Sequence, residues 1–342
     1  MNRVDTKILK VDADRLDPEV MEEAAKILRA NGLVAFPTET VYGLGALALS
    51  PKSVEKIFVA KGRPATNPLI VHVAHIDQAI ELVAQWPDVA QRLAEAFWPG
   101  PLTLVLRRSE VVPDAVCAGL DTVAIRLPAH PVARRLIETV GEPLAAPSAN
   151  RSTEVSPTTA QHVMDGLDGR IDLVIDAGST EVGLESTLVT VVQTPLEILR
   201  PGMITRRQVI DAVGEIEVAD APRRVVDDRH ARSSPGLSKR HYAPGVPLRL
   251  VDRETFRRLQ KSRVEQRRAF IGIAAGSSTG GDADTRIWLP LDADRYGRRL
   301  YAALHRLERL DIDEIIVELP PKGGAWEAIH DRLRRAAASP SQ

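Results

Sequence analysis

One stretch in the N-terminal part of the chain constrains the fold more than any other. It opens with a short apolar run, residues 33–36, whose length is typical of a buried strand. A proline and a polar segment follow, and Gly43 and Gly45 are predicted to let the backbone turn there. A helix is predicted next, with Ser50 as its N-cap and Pro51 as its first residue, because both residue types favour a helix start.

The predicted exit from this helix carries two cations, Lys61 and Arg63, and is stiffened by Pro64 and Pro68. A lysine point charge beside an arginine fork suits a multiply charged anion such as a triphosphate. The alternative is a solvated helix C-terminus, where basic residues are favoured by the helix dipole. The density of prolines and glycines on both sides of the helix favours the binding interpretation.

Length and composition set bounds on the rest of the chain. The 342 residues are enough for two domains, and a hydrophobic content of 44% supports full cores. A net charge of −1 excludes strong bulk attraction to nucleic acid or membrane, so any such contact must be a weak local patch. The polar N-terminus lacks a signal-peptide core and no apolar run is long enough to cross a bilayer. We therefore expect a cytoplasmic protein.

Strands and helices alternate irregularly in the first two thirds of the chain. Further strands are predicted at residues 69–73, 102–106, 122–127, 171–176, 186–192 and 196–199. Helices are predicted at residues 17–31, 77–84, 88–97, 130–140 and 205–213, with one more starting near Pro157 and capped by Ser156. Because these elements lack a strict βαβ rhythm, we expect an α/β fold with a twisted mixed sheet surrounded by helices.

Composition changes after Gly214, which suggests three segments. Residues 1–214 form the predicted mixed-sheet domain, residues 215–246 a charged linker or lid, and residues 247–342 a smaller three-layer α/β domain. The Gly/Ser-rich segment 276–281 lacks the Walker lysine and the dinucleotide spacing, so we interpret it as a flexible loop.

Several polar residues lie at the ends of the predicted apolar strands, where ligands collect in mixed sheets. Arg126 stands out, because a cation within an apolar strand needs an anionic partner. His72 is by itself more often structural than functional. Glu39, Asp176 and Glu185 could hold magnesium, although their spacing does not require it.

No nucleophile triad and no HExxH or similar metal-binding spacing occurs in the chain, so covalent or zinc chemistry is disfavoured. The single cysteine, Cys117, excludes an intrachain disulfide and is interpreted as a small buried hydrophobe.

Taken in order, these motifs resemble the threonylcarbamoyl-AMP synthases, the YrdC-like proteins. The resemblance spans residues 15–215 and extends through the Ser-Pro-Gly and His-Tyr-Ala-Pro segments of the linker, as in the long two-domain form of the family. It rests on Pro37-Thr-Glu-Thr-Val-Tyr-Gly-Leu-Gly45, Lys61-Gly-Arg63-Pro, Asn67-Pro-Leu, Pro99-Gly-Pro-Leu-Thr103, Arg126-Leu-Pro, Pro147-Ser-Ala-Asn150, Ser156-Pro-Thr158, Glu185-Ser-Thr187 and Arg200-Pro-Gly202.

The resemblance implies an activity: L-threonine, bicarbonate or CO2, and ATP would combine into threonylcarbamoyl-AMP and pyrophosphate, with Mg2+ accompanying ATP. A downstream transferase system would then modify tRNA beside the anticodon. The alternative is a nucleotide- or RNA-binding module of the same fold without turnover. A maturation factor for carbamoyl chemistry would need cysteine-rich zinc segments, which this chain lacks.

Matched motif by motif, the resemblance also implies site residues. The threonine-binding positions would be Thr40, His72, Arg126, Ser148 and Ser186. The ATP-binding positions would be Lys61, Arg63, Asn67, Thr122, Asn150, Ser156, Thr158, Arg200 and Tyr242, with Lys61 and Arg63 acting as the catalytic charges.

Overall fold

The computed structural model describes residues 4–220, 241–262, 266–274 and 285–338. The strands are β1 (Lys7–Lys10), β2 (Val34–Phe36), β3 (Gly43–Leu47), β4 (Ile70–His72), β5 (Leu102–Arg107), β6 (Thr122–Arg126), β7 (Leu144–Ala145), β8 (Leu173–Asp176), β9 (Thr187–Thr190), β10 (Leu196–Arg200), β11 (Val218–Asp220), β12 (Leu248–Val251), β13 (Arg268–Ala274), β14 (Arg286–Pro290) and β15 (Glu314–Glu318). The helices are α1 (Pro18–Arg29), α2 (Pro51–Lys61), α3 (Ile76–Glu81), α4 (Asp88–Phe97), α5 (Asp114–Cys117), α6 (Pro131–Val140), α7 (Ala160–Leu167), α8 (Arg206–Val213), α9 (Arg253–Lys261), α10 (Ala293–Glu308) and α11 (Glu327–Ala336).

The first eleven strands form one sheet in the order β1-β8-β2-β3-β7-β4-β6-β5-β9-β10-β11. Parallel pairs such as β4 with β6 alternate with antiparallel pairs such as β5 with β6 and β9 with β10. The predicted mixed sheet with surrounding helices is therefore confirmed.

Helices cover both faces of this sheet. Side chains alternate along each strand, so neighbouring apolar residues of one strand pack against helices on opposite faces. On one face, Val34 and Phe36 of β2 pack with α1 and α6. On the other face, Ala35 packs with α2 and α4. The sheet is thus buried on both sides, and the polar residues lie at the strand ends and in the loops that follow them.

Two local predictions were wrong. Gly43 and Gly45 lie within β3 rather than in a turn, and a Cβ on Gly45 would approach Cε1 of Phe36 to 2.6 Å. The glycines are therefore needed for close strand packing. The helix predicted near Pro157 begins at Ala160 with Thr159 as its cap, and the hydroxyl of Ser156 instead donates to Glu185.

The C-terminal part forms a separate four-stranded parallel sheet in the order β12-β15-β13-β14. Phe256 of α9 packs on one face of this sheet, and α10 and α11 pack on the other, which gives the three predicted layers. The segment 276–281 and residues 221–240 of the predicted linker, Ser234 among them, lie outside the described residues. Part of the predicted linker, β11, pairs with β10 of the large sheet.

Within the described residues, no helix combines the length and apolar character needed to cross a bilayer.

Candidate active site

A cavity with an empty volume of about 540 Å³, its mouth included, opens at the edge of the large sheet. Eight predicted site residues are among those that line it: Thr40, Arg63, His72, Arg126, Ser148, Ser186, Arg200 and Tyr242. The lining also includes Thr38, Glu185 and His241.

Strand register brings two of these residues together. β4 and β6 are parallel, and His72 pairs directly with Arg126 at their carboxyl ends. Both side chains are buried. The two groups therefore lie side by side at the edge where ligands bind in such sheets.

Arg126 is held by three protein groups. Its Nε donates to the Gly100 carbonyl at 3.2 Å, and its Nη1 donates to Oγ1 of Thr40 at 2.8 Å. Its Nη2 lies 2.6 Å from Oε1 of Glu39, which is also buried. The protein thus supplies an anionic partner for Arg126, and a further anion bound here would share a guanidinium whose orientation is already fixed.

His72 is neutral in the folded protein. Burial, and secondarily the neighbouring Arg126, lower the pKa of its imidazole from 6.5 to about 3. Its Nδ1 has no hydrogen-bond partner among the described residues. This ring nitrogen is available for a polar group of a ligand.

The lowered pKa of His72 predicts a specific loss of stability in acid. Because the unfolded imidazole takes up a proton below pH 6.5 and the folded one does not, the contribution of His72 is complete above that pH and declines towards pH 3. Between pH 6 and 4, the free energy of unfolding of His72→Asn should therefore fall less steeply with decreasing pH than that of the wild type. The two slopes should differ by up to about 1.4 kcal/mol per pH unit. Chemical denaturation across this range measures it, and parallel pH profiles for the two proteins would contradict the expectation.

Two further arginines lie on the cavity wall, and hydrogen bonds hold their guanidinium groups in place. Arg63 donates from Nε and Nη2 to the carbonyls of Asn67 and Pro68. Arg200 donates from Nε and Nη2 to the carbonyl of Ser186, and from Nη2 to its hydroxyl at 3.1 Å. These hydrogen bonds fix the orientation of each guanidinium on the cavity wall, and both arginines suit an anionic ligand.

Lys61 lies behind the cavity rather than in its lining. Its Nζ donates to the carbonyls of Ser148, at 2.6 Å, and Asn150. Burial, and then the nearby Arg63, lower the pKa of its ammonium well below the ordinary value. Lys61 thus holds the loop from Ser148 to Asn150, and its predicted action on phosphates stays a prediction.

The other predicted ATP-binding residues lie outside the lining. Asn67, Asn150, Ser156 and Thr158 are buried nearby, and Oδ1 of Asn67 has no partner among the described residues. Thr122 begins β6, whereas Arg126 ends it, so their Cα atoms are about 13 Å apart along the strand. The roles of these five residues stay predictions.

Tyr242 enters the cavity wall from the C-terminal part of the predicted linker, residues 215–246. It is buried and has a left-handed backbone, with φ of 59°. Its ring lies 6.0 Å from that of Tyr301, and Cζ of Arg332 lies 5.0 Å from its centroid. The next residue anchors the segment, because the Ala243 amide donates to the Thr153 carbonyl at 3.0 Å.

Sequence reasoning missed Tyr301 and Arg332, which reach the site from the C-terminal sheet domain. Arg332 is 1% exposed and lies 2.7 Å from the Glu185 carboxylate. Arg332 follows Ala328 by four residues and precedes Ala336 by four, on the apolar face of α11, so helical spacing was the available signal for its burial.

The carboxylates considered for magnesium are engaged elsewhere. Glu39 pairs with Arg126, Glu185 pairs with Arg332, and Oδ1 of Asp176 accepts from the Gly178 amide at 3.0 Å. No group of three or more His, Cys, Asp or Glu residues among the described residues could hold a metal ion. The side chains do not fit a protein-bound metal centre.

Two family models match the chain. The one described as telomere recombination, which groups the Sua5, YciO and YrdC proteins, matches residues 26–202. The one described as the threonylcarbamoyl-AMP synthase C-terminal domain matches residues 204–338. The chain belongs to the threonylcarbamoyl-AMP synthase family.

Individual members of this family match nearly the whole chain. The threonylcarbamoyl-AMP synthase of Pyrococcus abyssi is 42% identical over 332 residues, covering 95% of this chain and 96% of the relative. That of Bacillus subtilis is 41% identical, covering 94% and 93%. The crystal structure of P. abyssi Sua5 complexed with L-threonine aligns with a TM-score of 0.86 at 39% identity, covering 97% of each chain.

Proposed function

We propose that this protein combines L-threonine, bicarbonate or CO2, and ATP into threonylcarbamoyl-AMP and pyrophosphate. One observation carries the proposal: a single cavity contains the paired His72 and Arg126 together with the oriented cations Arg63 and Arg200. The first pair suits an amino acid, and the second pair suits the phosphates of a nucleotide.

The amino-acid side of the site would be organised around Arg126. Its guanidinium would bind the carboxylate of threonine while Glu39 and Thr40 keep the fork in place. The Nδ1 of His72, together with the hydroxyls of Ser148 and Ser186, would meet the polar groups of the substrate. This assignment explains why a neutral imidazole stands beside a buried cation.

The reaction proceeds in two balanced steps. The threonine amine attacks the carbon of bicarbonate and water is lost, which gives a carbamate. A carbamate oxygen then attacks the α-phosphorus of ATP, and the bond to the bridging oxygen breaks to release pyrophosphate. Arg63 and Arg200 would offset the charge that develops on the leaving group, so catalysis rests on positioning and electrostatics.

Mg2+ would enter with ATP as a substrate complex, held by its phosphates. Glu39 and Glu185 are paired with arginines and Asp176 accepts from a backbone amide, so we assign no metal ligand to the protein. The product would pass to a tRNA threonylcarbamoyl-transferase system, because a mixed anhydride of this kind hydrolyses readily and must be consumed.

The experiment that tests the proposal is pyrophosphate release from ATP with each substrate omitted in turn. Release should require both threonine and bicarbonate, and serine should substitute poorly for threonine. ATP turnover that is unchanged without bicarbonate would refute the proposed reaction.

Replacing Lys61 or Arg63 by Ala should lower turnover more than it weakens binding of the adenosine part of ATP. Lys61→Ala leaves two buried carbonyls without their donor, and Arg63→Ala removes a cation from the cavity wall. We expect turnover to fall on the order of 10²-fold in Arg63→Ala, as for other lost transition-state charges, and to fall in Lys61→Ala because the loop from Ser148 to Asn150 loses its anchor.

Steady-state kinetics and calorimetry with AMP and ATP separate the two effects. The exposed Lys52, at the start of the same helix, provides a control in Lys52→Ala. If AMP bound as poorly as ATP to the Arg63 variant, then Arg63 would act on a part of the nucleotide other than its β- and γ-phosphates.

A further inference from the structure

A buried polar network joins the C-terminal domain to the cavity at Glu185. The carboxylate of Glu185 accepts from the hydroxyls of Ser156, at 2.5 Å, and Tyr301, at 3.0 Å. It also accepts from Nε of Arg332 at 2.7 Å. Ser156 belongs to the large-sheet domain, whereas Tyr301 is in α10 and Arg332 is in α11.

Arg332 connects three parts of the molecule. Besides pairing with Glu185, it donates from Nη1 to Asp331 at 2.7 Å, and its guanidinium stacks on the Tyr242 ring. It therefore contacts the cavity wall and the lid tyrosine at once. Glu185 and Tyr242 both line the cavity, so Arg332 stands directly behind the site.

The charge of Glu185 matters because of its neighbour Arg200. Burial would raise the pKa of the Glu185 carboxyl, but Arg332, and then Arg200, hold it below its ordinary value of 4.5. The group is thus an ionised carboxylate beside both arginines: Arg332 pairs with it at 2.7 Å, and Arg200 is hydrogen-bonded to the adjacent Ser186. Without Arg332, the unpaired negative charge of Glu185 would attract Arg200 and repel any anion in the cavity.

We propose that Arg332 is a positioning residue for the nucleotide: it neutralises Glu185, so that the charge of Arg200 remains available to the phosphates of ATP. The inference rests on the proposed function for the identity of the nucleotide. On this account the catalytic machinery of the large-sheet domain is electrostatically complete only when α11 is docked. The C-terminal domain contributes a charge as well as a surface.

Docking of the two domains does not depend on Arg332 alone. Val41, Val155 and Leu184 of the first domain pack into the same apolar cluster as α10. Arg309 pairs with Asp165 at 2.5 Å across the same interface. Nε2 of His305 lies 3.1 Å from the carbonyl oxygen of Ser156. An electrostatic role of Arg332 can therefore be separated from a role in docking.

The experiment is a mutant cycle read by calorimetric titration of ATP into the full-length protein without threonine. Arg332→Gln removes the charge but can still donate to Glu185, whereas Arg332→Lys keeps the charge. Glu185→Gln alone and combined with Arg332→Gln complete the cycle. Arg334→Gln, an exposed position on the same helix, is the matched control, and thermal unfolding of each variant is recorded in parallel.

We expect Arg332→Gln to weaken ATP binding at least about tenfold, and the added Glu185→Gln to restore it to within about threefold of the wild type. Arg332→Lys and Arg334→Gln should bind ATP within about threefold of the wild type. The restoration is decisive when Arg332→Gln and the double variant unfold at the same temperature, because a restoration that came from better domain docking would raise the unfolding temperature together with the ATP affinity.

Wild-type ATP affinity in Arg332→Gln would overturn the inference, as would a loss that Glu185→Gln does not restore. If Arg332→Gln did not fold, the double variant would be compared with Glu185→Gln alone. Equal ATP affinities would then support the inference and unequal ones would overturn it. Failure of the wild type to bind ATP would instead count against the proposed function, so the two failures are distinguishable.

Discussion

Arg126→Ala is expected to abolish threonine binding while ATP binding stays close to that of the wild type. Loss of a desolvated, charge-assisted pair with the substrate carboxylate should cost on the order of 2–5 kcal/mol. The effect should be near the upper end, because the variant also leaves Glu39 as a buried carboxylate without its partner at 2.6 Å. That carboxylate would repel the substrate.

Calorimetric titration of threonine and, separately, of ATP measures this prediction. Adding Glu39→Gln to Arg126→Ala removes the repulsion, so part of the threonine affinity should return. Arg107→Ala, on the neighbouring strand and exposed, should behave as the wild type. Unchanged threonine affinity in Arg126→Ala would show that the carboxylate binds elsewhere.

Removal of the chain after Gly214 is expected to leave a first domain that makes little threonylcarbamoyl-AMP or releases it as AMP. The truncation deletes Tyr242 and His241 from the cavity wall and exposes apolar residues such as Val41 and Leu184. A lid that excludes water would protect the carbamate and the mixed anhydride from hydrolysis. We propose this lid role for residues 215–246.

Tyr242→Ala in the full-length chain tests the lid without exposing the interface. We expect the rate of product formation to fall on the order of tenfold or more, with a larger share of AMP, because positioning and water exclusion are both impaired. Tyr242→Phe keeps the ring against Arg332 and should be milder. Chromatography of the nucleotides measures the ratio of product to AMP, and equal rates and ratios in truncated, variant and intact proteins would refute the lid.

Short-range patterns in the sequence were sufficient for most of the fold. Helix α2 has the expected cap, since Ser50 accepts from the Ser53 amide and Pro51 follows it. The polar residues at strand ends, His72 and Arg126 among them, do meet at one sheet edge. These features depend on residues close in sequence or on general rules of sheet topology, so they could be predicted.

What could not be predicted depends on distant contacts. A glycine in a strand looks like a glycine in a turn until the ring of Phe36 is known to lie against Gly45. The hydroxyl of Ser156 looks like a helix cap, but the buried Glu185 is a stronger acceptor. Helical spacing places Arg332 on the apolar face of α11, but its partner could not be predicted, because Glu185 is 147 positions away in another domain.

The central claim is tested most directly by the product itself. The protein is incubated with ATP, threonine and carbon-13-labelled bicarbonate. The nucleotides are then separated, and their masses are measured by mass spectrometry. We predict a threonine-dependent nucleotide that carries the label and has the mass of threonylcarbamoyl-AMP, formed in step with pyrophosphate. Pyrophosphate and AMP that accumulate without any labelled nucleotide, in a freshly quenched reaction, would contradict the account.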